Sequence, residues 1–299
     1  MSRPGCSVVV SLRSFRPEDA DAVLELSRRA QAREEEQVGT PLWATREELD
    51  AELGGLDRRP EETLLIAEDE GVVAGCGGIE LEDEALLFGP VVAPAFRGRK
   101  VGRTLLGASI ELARAERVGR LVASVGVRNR GGRLMLERNG FEPRGGPVAV
   151  YRLRPESHRP VETPAHPGIT TRIAGPDELA TVLPLCHECF ARSALSDDVW
   201  RRALERGQVR ISEEHGTPVA VVRINPARRR VFHGVTAAAR ERGIGGFVLS
   251  EVLEDYWAEH PGETLRLTAP VENVPASRIY RHQGFLPWLL LQPFELALV

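Results

Sequence analysis

The chain has 299 residues, 42% hydrophobic and 27% charged, a composition that suits two soluble globular domains, each with a core of its own. A net charge of −4 and a pI near 6.1 exclude a global basic field that would draw the protein to nucleic acid or an anionic membrane. No stretch approaches the ~18 apolar residues of a membrane span, and the short apolar run in MSRPGCSVVVSL has no secretory cleavage pattern, so a cytoplasmic protein is expected.

SVVVSLRSF reads as a strand and RPEDADAVLELSRRAQA as a helix, opened by Pro17 and by acidic residues that suit the helix dipole. TREELDAELGGL is a second helix, closed by Gly54 and Gly55. ETLLIAEDEGVVAGCGGIELED is a hairpin turned at Asp69, Glu70 and Gly71, and ALLFGPVVAP is a further strand. VGRTLLGASIELARAERVG places Val101, Leu105, Ala108 and Leu112 on one helical face. RLVASVGV is a strand, RGGRLMLERNG a short helix ending at a glycine, and PVAVYRL a last strand. RLRPESHRPVETPAHPG follows, with Pro155, Pro160, Pro164 and Pro167 and few apolar residues, and reads as an extended linker.

Beyond the linker the same order returns. ITTRI is a strand, and PDELATVLPLCHECFARSA and SDDVWRRALERG are helices. QVRISEEHGTPVAVVRI is a hairpin turned at His215 and Gly216, with Glu213 and Glu214 read as a solvated hairpin end. RRVFHGVTA, GIGGFVLSEVLEDYWAEH, TLRLTAPV, PASRIYRHQG and LPWLLLQPFELALV repeat strand, helix, strand, helix, strand. Arg97 and Arg240 lie 143 residues apart, and Asn129 and Asn273, like Gly140 and Gly284, lie 144 apart. That register marks a domain duplication, far longer in period than a solenoid repeat. The expected boundaries are 8–154 for the first domain, 155–167 for the linker and 168–299 for the second. Two copies in one chain would form an internal pseudo-dimer, consistent with a monomer.

The four cysteines, Cys6, Cys76, Cys186 and Cys189, are too few for a disulfide framework. Cys186 and Cys189 form a C-x-x-C, but inside an apolar-periodic segment with no second metal-ligand pair, so they read as buried structural residues and no metal is expected.

The chemistry resides in a turn that occurs twice, FRGRKVGRTLL and ARERGIGGFVL, each after a strand and at the head of a helix. Free N–H groups and the positive end of the helix dipole make such a place an anion site, and glycines let a phosphate approach the backbone. With Arg240-x-x-Gly243-x-Gly245-Gly246, Asn273 and Tyr280 before Gly284-Phe285, the second copy resembles the GNAT superfamily of N-acetyltransferases. The first copy shares Arg97, Gly98, Gly102, Asn129 and Gly140-Phe141, so the resemblance covers nearly the whole chain twice. The tandem layout is similar to that of the mycothiol synthases, though no motif here marks their acceptor.

The resemblance implies two α/β (α+β) domains in tandem, each a twisted mixed sheet flanked by helices. It implies acetyl-CoA as co-substrate, a small-molecule primary amine as acceptor, and no nucleic-acid or membrane partner. The pyrophosphate would rest on Arg240, Glu241, Arg242, Gly243, Ile244, Gly245 and Gly246, with Val235 beside the acetyl group, Asn273 on the pantetheine and Tyr280 as acid. In the first copy the same places are Val92, Arg97, Gly98, Arg99, Lys100, Val101, Gly102, Arg103 and Asn129. His233 projects from the strand of Val235 on the same face, a candidate base beside the plainer reading of a satisfied core histidine. Lys100 stands where the family has a glycine, and Leu136 where the second copy has Tyr280. Catalysis is therefore expected in the second copy, with a non-catalytic CoA-binding module, or catalysis in the first copy, as the alternatives.

Overall fold

The computed structural model describes residues 10–56, 58–81, 84–160, 168–190 and 195–298; the expected strand residues 7–9, Cys6, linker residues 161–167 and residues 191–194 lie outside them. β1 (Ser11–Ser14) enters α1 (Ala20–Ala32) through a one-turn segment, Pro17–Asp19. Asp19 holds that entry: its carboxylate accepts from the Arg16 N–H at 2.8 Å and from two Arg13 nitrogens at 2.7 and 2.8 Å. α2 (Arg46–Gly54) starts at Thr45, whose hydroxyl accepts from the Glu48 N–H. A single helical turn, α3 (Pro60–Thr63), precedes β2 (Leu64–Asp69), β3 (Val72–Glu80) and β4 (Leu86–Val92). α4 (Val101–Ala115), β5 (Arg120–Gly126), α5 (Arg130–Glu137), the two-residue β6 (Glu142–Pro143) and β7 (Val148–Leu153) complete the first half.

The second half runs β8 (Ile169–Ile173), α6 (Leu179–Cys189), α7 (Asp197–Glu205), β9 (Val209–Glu214), β10 (Thr217–Asn225) and β11 (Arg230–Val235). It ends with α8 (Ile244–Glu259), β12 (Leu265–Pro270), α9 (Val274–His282) and β13 (Leu286–Ala297). Among the described residues no helix is long and apolar enough to cross a membrane.

Two compact units form, and their boundaries differ from the expected cut at the linker. One is the chain up to Val148 together with the stretch from Leu289; the other is Ala149–Trp288. In the first unit the order is β1-β2-β3-β4-β5, followed by the far end of β13, where Leu291–Ala297 pairs antiparallel with Gly126–Arg120. In the second it is β8-β9-β10-β11-β12-β7. Each half of the sequence thus gives its closing strand to the other half's sheet. Burial secures the exchange: Phe294 is fully buried with Leu121, Leu136 and Phe141, and Tyr151 and Leu153 are buried with Leu267, Tyr280 and Phe285.

The parallel pair in each sheet lies next to its closing strand. β4 meets β5 at Leu86 and Val122, and β11 meets β12 at Arg230 and Arg266, a spacing of 144 in both strands. Among the described residues each parallel ladder is that single position, so the strands part toward their C-terminal ends. Other landmarks repeat too: Gly140 and Gly284 take φ of +83° and +92°, and the next N–H, of Phe141 and Phe285, returns to the carbonyl of Leu136 and Tyr280.

That pair of glycines supplies a matched test. An added Cβ at Gly284 would run into the Ser157 carbonyl, whereas at Gly140 it would meet only Leu296 Cδ1 at 3.4 Å. Gly140→Ala should cost about 1 kcal/mol, from backbone conformation alone. Gly284→Ala should cost roughly 3 kcal/mol or more, because backbone must also move. Denaturant melts of the two variants check the difference.

Candidate functional site

The two turns have one backbone. Arg97 and Arg240 are extended at φ −67°, and Gly98 and Glu241 are left-handed at +74° and +60°. Lys100 and Gly243, the residues that open α4 and α8, are left-handed again at +68° and +79°. Lysine thus takes the glycine conformation at a steric cost of about 1–2 kcal/mol. Val101 and Ile244 are buried at 1% and 0% exposure and pin each helix start to its core. The first-turn N–H groups of residues 101–103 and 244–246 have no intrahelical acceptor, and no side chain caps them.

Gly102 and Gly245 do not face the anion side through their Cα atoms. An added Cβ at Gly245 would lie 2.9 Å from Val235 Cγ2 and 3.4 Å from His233 Cε1; at Gly102 it would lie 3.5 Å from Val92 Cγ2. The expectation of phosphate approach at these Cα atoms is corrected accordingly: both face the strand, Gly245 so closely that a Cβ would collide with Val235, whereas at Gly102 a Cβ would make ordinary contact with Val92 and Met135. Val92 and Val235 stand opposite them, each with its carbonyl accepting from the arginine of its own turn, Arg97 at 3.3 Å and Arg240 at 3.4 Å.

The charge around the turns differs. In the first unit Arg97, Arg99, Lys100 and Arg103 crowd one helix N-terminus; Arg99 stacks over Phe96, and Glu36 grips Arg97 at 2.6 and 2.5 Å. In the second, Glu241 lies between Arg240 and Arg242, and Arg242 is bound by Glu214 at 2.9 Å. Glu214 and Glu213, read from sequence as a solvated hairpin end, are ion-paired with Arg242 and Arg172.

The gap between the parted strands also differs. In the first unit the connection from α1 to α2 crosses it. Gly39 N–H donates to Ser124 at 2.7 Å, Gly126 N–H to Gln37 at 2.8 Å, and Gly89 N–H to Thr40 at 2.8 Å. In the second unit the corresponding connection, from α6 to α7, has seven residues against thirteen. Asn129 and Asn273 both cap the helix that follows, accepting from Gly132 and Ala276. Asn129 is buried and also donates to the Gln37 carbonyl, so its amide is committed within the protein; Asn273 is exposed.

Tyr280 comes from α9 and is 6% exposed, with ring contacts to His233, Tyr151 and Phe285. Burial, and to a lesser degree Tyr151, pushes its phenol above the ordinary tyrosine range, so it keeps its proton at neutral pH. Burial pushes His233 down to about 4, against a smaller opposing effect of hydrogen bonding to the Gly245 backbone. His233 is therefore neutral, its Nε2 is buried without a partner, and it is too weakly basic to hold a proton taken from an alkylammonium. The C-x-x-C thiols are held protonated by burial, Cys189 at about 12, and among the described residues no cluster of three or more ligating side chains could hold a metal.

Residues 23–141 match the acetyltransferase (GNAT) family. The chain carries a GNAT acetyltransferase domain. A protein of Bacillus subtilis (strain 168), named for ribosomal protein bS18-alanine N-acetyltransferase activity, is 29% identical over 136 residues, 45% of this chain and 82% of that one. The tandem GNAT fold extends across both units. A GCN5-related N-acetyltransferase from Sphaerobacter thermophilus matches with TM-score 0.70 at 18% identity, covering 96% of this chain and 95% of its own. A tandem GNAT protein from the clavulanic acid biosynthesis pathway matches with TM-score 0.61 at 16% identity, covering 97% and 98%. The family match over residues 23–141 and the GNAT fold across the chain support an acyltransferase of this type.

Three features of this GNAT site were not read from the sequence. Glu188, at the end of α6, is exposed and accepts from the Ala237 N–H at 2.6 Å, two residues beyond Val235. Gln283 is fully buried and donates to the Gly246 carbonyl in the first turn of α8 at 2.6 Å. Glu36 reaches Arg97 across 61 positions. None belongs to a local motif; the position of Gln283 just before Gly284-Phe285 was the one available signal.

Two outcomes follow for stability. Lys100→Gly should raise it by about 0.5–1 kcal/mol, the left-handed cost less the added freedom of the unfolded chain, and Gly243→Ala should lower it by about 1 kcal/mol. Urea midpoints read both. For His233, a folded pKa of about 4 against 6.5 means that the unfolded chain binds the proton more readily. Stability is lost as pH falls from 6.5 toward 4, by about 1–3 kcal/mol, and no further below that. Urea melts of His233→Gln across this window should lack that loss.

Proposed function

We propose that the protein transfers an acetyl group from acetyl-CoA to the primary amine of a small molecule, with the chemistry in the second unit. One observation carries the reading. Both units have the same turn and the same parted strands, but the second has a hydroxyl, Tyr280, where the first has Leu136, at 6% and 1% exposure.

The N–H groups of Ile244, Gly245 and Gly246, with Arg240, would hold the pyrophosphate. The exposed end of β11 and Asn273 would receive the pantetheine arm. Glu188 places a carboxylate beside the end of β11, where it attracts an ammonium group, whose proton leaves to solvent before attack. The freed amine attacks the acetyl carbonyl carbon; the C–N bond forms and the C–S bond breaks. Tyr280 gives its proton to the departing sulfur and is reprotonated from solvent, while the surplus proton on nitrogen leaves to solvent.

A second reading places catalysis in the first unit. Its support is specific: four cations at the α4 N-terminus, and the family match over residues 23–141. Tyr280→Phe separates the two. Loss of the acid should lower kcat by ~10²–10⁴ with the Kd for acetyl-CoA nearly unchanged. An unaltered kcat would move the chemistry to the first unit. Acetyl-CoA binding without turnover of any primary amine would leave a binding module.

A further inference from the structure

Three rings surround Tyr280. Phe285 lies 5.8 Å away and His233 6.1 Å, both from the second half of the sequence; the third, Tyr151, lies 5.8 Å away and comes from β7, before the linker. Tyr151 is 3% exposed, and its hydroxyl donates to Ser277 Oγ at 3.0 Å. Ser277 stands three residues before Tyr280 on α9, on the same helical face. Tyr151 is therefore fixed to α9 twice, by its ring against Tyr280 and by its hydroxyl on the preceding turn.

The duplication supplies a control within the molecule. Tyr151 and Phe294 lie 143 residues apart, the spacing of the two turns, and occupy the closing strands of the second and first sheets. Tyr280 and Leu136 are 144 apart, as are Ser277 and Arg133. Where the second unit has two phenols and a serine, the first has phenylalanine, leucine and arginine, and buries Phe294 and Leu136 in one apolar core. The hydroxyls are present together in one unit and absent together in the other. Packing alone does not need them, since Phe294 fills its place without one.

We propose that Tyr151 is a positioning residue of the second site, holding the Tyr280 phenol in the orientation from which it delivers its proton; this rests on the reading that the second unit is catalytic. The site then draws on both halves of the sequence, because the strand that steadies its acid is encoded on the far side of the linker. Its environment agrees: Tyr151 also contributes to keeping the Tyr280 phenol protonated.

The test uses the full chain and Tyr151→Phe, Tyr280→Phe and the double variant. The chain has three tyrosines, Tyr151, Tyr256 and Tyr280, so selective 13Cζ-tyrosine labelling gives an assignable spectrum. Tyr151→Phe should shift or broaden the Tyr280 signal and leave that of Tyr256 in place. In thiol release from acetyl-CoA with a panel of primary amines, Tyr151→Phe should lower kcat about tenfold at unchanged KM for acetyl-CoA. In the Tyr280→Phe background it should have no further effect. An unmoved Tyr280 signal, or a Tyr151→Phe loss that multiplies with that of Tyr280→Phe, would overturn the proposal. Normal turnover by Tyr280→Phe would instead refute the catalytic assignment of the second unit, and the Tyr280 signal would still decide whether Tyr151 holds that ring.

Discussion

An unpaired sheet edge next to a hydrophobic core has to be covered, and in this protein each edge is covered by a strand from the other half of the sequence. Seven antiparallel positions join β5 to the far end of β13, and Phe294 carries that ladder into the first core. β7 closes the second sheet in the same manner, with Tyr151 and Leu153 facing its core. The rest of each unit follows from this closure. With the last strand in place, α5 and α9 are trapped against the sheet by Leu136 and Tyr280, and the glycine turns after them are fixed by backbone bonds to those same residues.

On that shared scaffold the two copies differ. The first has four cations at its turn, a lysine in a left-handed position, and a segment of its own chain bonded between the parted strands. Its residue at the place of Tyr280 is a leucine sealed in the core. The second has glycine at the left-handed position, arginines offset by Glu241 and Glu214, and polar aromatics around α9. The cations are thus concentrated in one unit and the buried phenols in the other.

Much of this was legible in the sequence because it is local. Period-3.6 apolar spacing located α4 and α8, and the fixed offsets between arginine, asparagine and glycine-phenylalanine pairs revealed the duplication and the equivalence of the turns. The closing strands were found as strands but given to the wrong sheets, since PVAVYRL and the end of LPWLLLQPFELALV are both apolar enough for either core, and only tertiary packing decides. The inward direction of Gly102 and Gly245 was missed because a glycine in such a motif serves equally to admit a phosphate or to let a helix approach a strand. Glu36 and Glu188 were invisible because their partners are 61 and 49 positions away, beyond any spacing rule.

The exchange of closing strands also sets an order for biosynthesis. The first five strands leave the ribosome well before residues 289–297 exist, so β5 waits with an open hydrogen-bonding edge while the whole second half is made. The second sheet has no such delay: its closing strand, β7, is already present when β12 emerges. The nascent chain therefore completes its C-terminal sheet no later than its N-terminal one, the reverse of the usual vectorial order, and its longest-lived aggregation hazard is the exposed flank of β5.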